Sequence, residues 1–100
     1  MSILRLNEFK ALPGKFEQLT ALLEGVVAEI RENPGCERCE LLIKMADGAS
    51  DDEKLVVLEV WDSIEAHKSA LAKMTPEDFA PAMALMSGRP TGQYYTATEG

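Results

Sequence analysis

Basic residues are scarce in this chain: 10 Lys and Arg stand against 17 Asp and Glu in 100 residues, a formal net charge of −7. Phosphate-rich partners require clustered cations, so this balance argues against a nucleic-acid or anionic-membrane surface. The N-terminus, Met1-Ser2-Ile3-Leu4-Arg5, has neither a basic leader nor a long apolar run. No signal peptide or membrane span is therefore expected, and the expected compartment is the cytoplasm. Histidine occurs once, at His67, which is too few for a zinc set. No His/carboxylate spacing suits another metal, and no glycine-rich loop is present to cradle a nucleotide phosphate. The expectation is no metal and no cofactor.

Cysteine is nearly as rare, and both copies fall in Cys36-Glu37-Arg38-Cys39. The segment reads as a strand, where positions i and i+3 face opposite sides roughly 10 Å apart along the chain. A disulfide needs Cα atoms within about 7 Å. Two free thiols in a reducing compartment are expected.

What is present is a globular composition, 46% hydrophobic and 27% charged, without low-complexity tracts. The length suits one domain over residues 1–100 with one core, near the size at which a partner subunit helps stability. Ile3 to Phe9 reads as a strand with Ile3, Arg5, Asn7 and Phe9 on one face and Leu4, Leu6 and Glu8 on the other. Pro13-Gly14 breaks it and opens a helix whose apolar stripe is Phe16, Leu19, Leu23, Val26, Val27 and Ile30. Asn33-Pro34-Gly35 ends that helix. A second strand is predicted over about Glu37 to Met45, with Cys39, Leu41, Ile43 and Met45 sharing a face. The acidic stretch Ala46 to Glu53 reads as a hairpin loop. In Leu55 to Trp61 both faces are largely apolar, so both should be covered.

Asp62 is expected to cap the next helix with Glu65 as its partner, and Ile64, His67, Leu71 and Met74 form its stripe. Thr75-Pro76 begins a further helix with Phe79, Met83 and Met86 as its buried side. Gly88 and Pro90 stop it, and Thr91 to Ala97 makes a last strand. The resulting βαββαβ order is that of an α+β, ferredoxin-like fold: a four-stranded antiparallel sheet with helices on one face. Helices on one face leave Val56, Leu58, Val60 and Leu42 uncovered on the other. A second copy of the chain is the expected cover, giving a homodimer through the sheet face.

Three short motifs, in order, carry a resemblance over about Ile3 to Tyr95. They are Leu12-Pro13-Gly14-Lys15, Asn33-Pro34-Gly35-Cys36, and Glu59-Val60-Trp61-Asp62-Ser63 followed by Glu65-Ala66. The chain resembles the antibiotic-biosynthesis monooxygenase branch of the dimeric α/β-barrel superfamily. That resemblance implies a pocket between sheet and helices. It also implies one of several activities: cofactor-independent oxygenation of quinol-like aromatics, haem degradation, or processing of a signalling-sugar derivative. It matches Trp61 to the family Trp ending strand three, Asn7 to the strand-one Asn of haem-degrading members, and Glu59 to the acid two residues before the Trp. Two positions depart from it. Ala70 stands where many members carry His, and Cys39 where many carry an aromatic residue.

On their own chemistry, Trp61 is either a core anchor or a wall for a planar substrate. Asn7 is a local hydrogen-bonding group or a ligand for a substrate oxygen. Glu59 is a partner for Arg5 or a base whose pKa burial raises. His67 is the best proton-transfer candidate. Tyr94 and Tyr95 face opposite sides, and Tyr94 is taken as the substrate-binding one. The leading expectation is a monooxygenase acting on a quinol-like small molecule without metal, flavin or nicotinamide. A small-ligand-binding or stress-associated dimer without activity is the alternative from a different class, supported by Ala70.

Overall fold

The computed structural model describes residues 2–45 and 53–98. Its elements run β1 (Ile3–Lys10), α1 (Phe16–Arg31), β2 (Cys36–Ile43), β3 (Lys54–Trp61), α2 (Ile64–Ala72), α3 (Pro76–Met83) and β4 (Thr91–Tyr95). The strands form one antiparallel sheet in the order β2-β3-β1-β4. This is the ferredoxin-like α+β architecture. The hairpin loop expected over 46–53 lies outside the described residues except for Glu53.

The alternation of β3 sets the two faces. Leu55, Val57, Glu59 and Trp61 are buried, while Lys54, Val56, Leu58 and Val60 are half-buried. Register carries that division across the sheet: Phe9 pairs with Leu55, Asn7 with Val57, Arg5 with Glu59, and Ile3 with Trp61. The helices lie on the Trp61 side. Leu19 and Leu23 of α1 pack with Leu55, Ala11, Ala82 and Met86, and Val27 packs with Cys39 and Val57. On the other face Leu4, Leu6, Val56, Leu58 and Val60 stay partly exposed, and Leu42 is 43% exposed. Among the described residues no element of the chain crosses that face.

Several local expectations need correction. The cap of α2 is Ser63 rather than Asp62: the Ser63 hydroxyl accepts from the Ala66 N–H at 3.1 Å. Extended backbone at Ser63 places its short side chain over the first turn. In α3 the buried residue is Ala82, whereas Phe79 and Met83 are 36% and 40% exposed. Helix α1 starts only at Phe16, because Pro13 and Gly14 occupy the preceding turn. A bulge between Cys36 and Arg38 reverses the expected facing of the cysteines. The extra residue returns Cys36 to the core side, opposite Trp61, as Cys39 is opposite Glu59. Both thiols are free.

Gly35 ties the entry of β2 to the end of β3. Its φ is +87°, and its carbonyl accepts from the Asp62 N–H at 2.9 Å. A Cβ there would sit 2.6 Å from Ala66 Cβ and 2.8 Å from Asp62 Oδ1. Gly35→Ala therefore combines backbone strain with a clash. It should cost at least about 2 kcal/mol in urea unfolding. Gly25→Ala, on the exposed side of α1 with nothing near its Cβ, should instead gain about 0.5–1 kcal/mol.

Candidate functional site

Between the sheet and the helices lies a cavity of ≈ 230 Å³. Arg5, Asn7, Val57, Glu59 and Trp61 form its sheet wall. Most of the opposite wall is apolar, including Leu23, Val26, Ile30 and Phe79 from the helices and Met74 between α2 and α3. The alternation that buries Val57 also points Asn7 and Glu59 inward, and the cost of burying them is met by hydrogen bonds. Glu59, 5% exposed, has both carboxylate oxygens occupied. Asn7 Nδ2–H donates to Oε2 at 2.6 Å, and Trp61 Nε1–H donates to Oε1 at 2.9 Å.

His67 hangs over this carboxylate from the second turn of α2 and is 7% exposed. Its Nε2 is 3.9 Å from Glu59 Oε1, too far for a hydrogen bond. Its Nδ1 is 2.7 Å from the Tyr94 hydroxyl. The imidazole meets Trp61 and Tyr94 edge-on, with centroids at 5.6 and 5.4 Å. These contacts hold the ring in one orientation.

Two opposed influences set the protonation states. Burial pushes the Glu59 carboxyl above its ordinary value, opposed by the Trp61 and Asn7 donors and by the Arg5 charge. His67 is lowered, first by burial and then by Arg5. A carboxylate at 3.9 Å would by itself favour the imidazolium. Glu59, however, is already held by two donors, so burial and Arg5 prevail and the imidazolium is disfavoured beside it. Burial also pushes the Cys39 thiol up to about 12, with the Glu59 charge as the next cause, so Cys39 is no thiolate nucleophile.

Four of the residues singled out from sequence thus converge: Asn7, Glu59, Trp61 and His67 line the cavity. Tyr94 shares their face but stands behind His67 and Arg5 rather than on the cavity wall. Ala70, where many family members carry His, also lines the cavity. Arg5 is the residue that sequence reasoning undervalued. It is no hydrogen-bond partner of Glu59: its guanidinium lies 4.6 Å over the Tyr94 ring. Its buried Nε has no partner among the described residues. An unsatisfied buried donor costs about 1–3 kcal/mol. A charged residue on the strand face that also carries Ile3 and Phe9 was the available signal. Among the described residues, no three His, Cys, Asp or Glu side chains gather as a metal site would require. No described helix is long and apolar enough to cross a membrane.

The sequence model of the antibiotic biosynthesis monooxygenases matches residues 2–80. The chain belongs to that family. Solved structures agree on the fold. Rv0793 from Mycobacterium tuberculosis is 18% identical with a TM-score of 0.78, covering 100% of this chain and 98% of its own. SnoaB from Streptomyces nogalater, described as a cofactor-independent oxygenase and solved as a mutant, is 22% identical at TM-score 0.76, covering 99% and 95%. A conserved protein from Methanosarcina mazei Go1 is 15% identical at TM-score 0.81, covering 98% and 94%. No curated protein matches the sequence.

The Trp61–Glu59 bond can be tested through pH. The folded chain holds the Glu59 proton more tightly than the unfolded chain, so burying this group costs stability as pH rises above 4.5. Trp61→Phe deletes one donor to the carboxylate and raises that pKa further. Unfolding in urea, followed by circular dichroism, should show a loss of about 1–3 kcal/mol at pH 7.5. The loss should shrink as pH falls and Glu59 becomes protonated.

Proposed function

We propose that the protein is a monooxygenase of small hydroxyaromatic molecules in which the substrate itself supplies the electrons to dioxygen. The observation that carries this reading is an imidazole fixed between Trp61 and Tyr94 on the wall of a largely apolar cavity, where burial disfavours its charged form. In the tautomer with hydrogen on Nδ1, His67 donates to the Tyr94 oxygen and presents the Nε2 lone pair. Nε2 takes the proton of the bound hydroxyl. The imidazolium so formed faces Glu59 Oε1, whose charge favours it, and the Arg5 charge favours the phenolate. Asn7 and Trp61 keep the Glu59 carboxylate in place throughout, and the apolar helical wall excludes water.

The phenolate passes one electron to dioxygen, and the aryloxyl radical and superoxide combine at a ring carbon. Loss of water then yields the quinone. A phenol and O2 become a quinone and H2O: the ring carbon exchanges its hydrogen for one oxygen atom. The second oxygen atom leaves with that hydrogen and the hydroxyl hydrogen. SnoaB, of the same fold and described as cofactor-independent, is consistent with such chemistry.

Haem degradation is less well supported by the site. The family's His position is Ala70, and His67 is engaged by Tyr94.

Oxygen uptake by folded, metal-stripped protein with a panel of dihydroxyaromatics is the test, and turnover of at least one is expected. His67→Gln should lower the rate by about 10²–10⁴-fold. Because the His67 pKa is lowered, the wild-type rate should fall on acidification with a midpoint below pH 6.5, and His67→Gln should lack that limb. Turnover unchanged in His67→Gln would contradict the assignment.

The same reading includes a homodimer through the uncovered sheet face. Leu4, Leu6, Val56, Leu58 and Val60 would each gain up to about 1.5–3 kcal/mol from full burial. Light scattering at micromolar concentration should give twice the 11.0 kDa chain mass. Leu58→Asp should dissociate or unfold the protein.

A further inference from the structure

The guanidinium of Arg5 is a charged group on a cavity wall with no acid assigned to it. Among the described residues it forms no ion pair, and its buried Nε makes no hydrogen bond. Glu59, its cross-strand neighbour, gives both oxygens to Asn7 and Trp61. What holds Arg5 is the face of Tyr94 at 4.6 Å, and Tyr94 is fixed in turn by His67. A stacked guanidinium keeps its in-plane donors free.

Gly92 completes the arrangement. It pairs with Asn7 across β1 and β4 and lines the cavity. A Cβ there would collide with the Arg5 guanidinium at Nη2 and lie 2.5 Å from Asn7 Oδ1. Any larger residue on β4 would displace Arg5 from its place. A guanidinium offers parallel N–H groups that match the oxygens of a carboxylate. Here the Arg5 guanidinium lies over the one β4 position without a side chain, on the wall of the cavity and without an acid partner among the described residues.

Size narrows the ligand. An apolar cavity of about 150 Å³ takes benzene, so ≈ 230 Å³ has room for one or two fused rings. We propose that the cavity selects a one- or two-ring aromatic acid, whose carboxylate is bound by the Arg5 guanidinium. The proposal rests on the cavity being the substrate site and deepens that reading. Arg5 is then the specificity-determining residue, and an acidic hydroxyaromatic is the substrate class.

The test is binding, measured calorimetrically at pH 7.5 with 2-naphthoate and with 2-naphthamide, its neutral counterpart of the same shape. Wild-type protein should bind the acid at least tenfold more tightly than the amide. Arg5→Met should abolish that preference while leaving amide affinity within about twofold. Arg5→Lys, with the charge but not the parallel N–H groups, should keep only part of it. Equal affinities in the wild type overturn the proposal, as do absence of saturable binding of either ligand and a preference that survives Arg5→Met. The wild-type comparison decides even if Arg5→Met fails to fold. None of these readings depends on turnover. Acid preference without oxygen uptake on any hydroxyaromatic would defeat the oxygenase reading alone. Oxygen uptake on neutral dihydroxynaphthalenes without acid preference would defeat this one alone.

Discussion

A buried carboxylate is the constraint around which this site is built. Glu59 sits at the middle of the central strand pair, where strand alternation allows no escape to solvent. Left unpaired, an ionised group there would be strongly unfavourable, so its neighbours are dictated. Asn7 must offer an amide N–H from β1, and Trp61 must turn its indole N–H back along β3. The indole so placed leaves its ring against His67, and His67 against Tyr94. The order of the whole wall follows from satisfying one acid.

That dependence explains why the site is electrostatically poised rather than merely buried. Burial favours the neutral forms of both Glu59 and His67, and Arg5 opposes it at the acid while reinforcing it at the imidazole. The arrangement pairs a hydrogen-bonded acid with a histidine whose charged form is disfavoured and an unpaired cation, all facing an apolar space. Burial thus brings the proton affinities of the acid and the imidazole closer together, and perturbed groups gathered in a cleft mark a candidate functional site. The outer sheet face has the opposite character, since it holds only aliphatic side chains from β1 and β3 at its centre and no polar group that needs a fixed partner.

Much of this was legible in the residues. The alternation of Leu55 to Trp61 defines both faces and by itself places Glu59 and Trp61 together. The helical stripe of α1 and the Thr75-Pro76 start signal likewise stood clear. What the pattern could not convey depended on single-residue geometry or on contacts distant in sequence. The bulge after Cys36 has no period, so it reversed the expected facing of the thiol pair. Ser63 rather than Asp62 caps α2 because the choice between adjacent polar residues turns on backbone angles. Arg5 looked like a partner for Glu59, because strand pairing does place them opposite. Only the three-dimensional wall shows that Asn7 and Trp61 already fill that role and that Arg5 is turned over Tyr94.

The chain contains a single histidine, so one proton-NMR titration reports the state of the site without assignment ambiguity. Following the imidazole C2–H signal of the folded protein with pH should give a midpoint below the 6.5 of a free side chain, with His67 neutral at pH 7. A midpoint above 6.5 would mean that His67 carries its proton beside Glu59 as an ion pair. That result would contradict the neutral base on which the account depends.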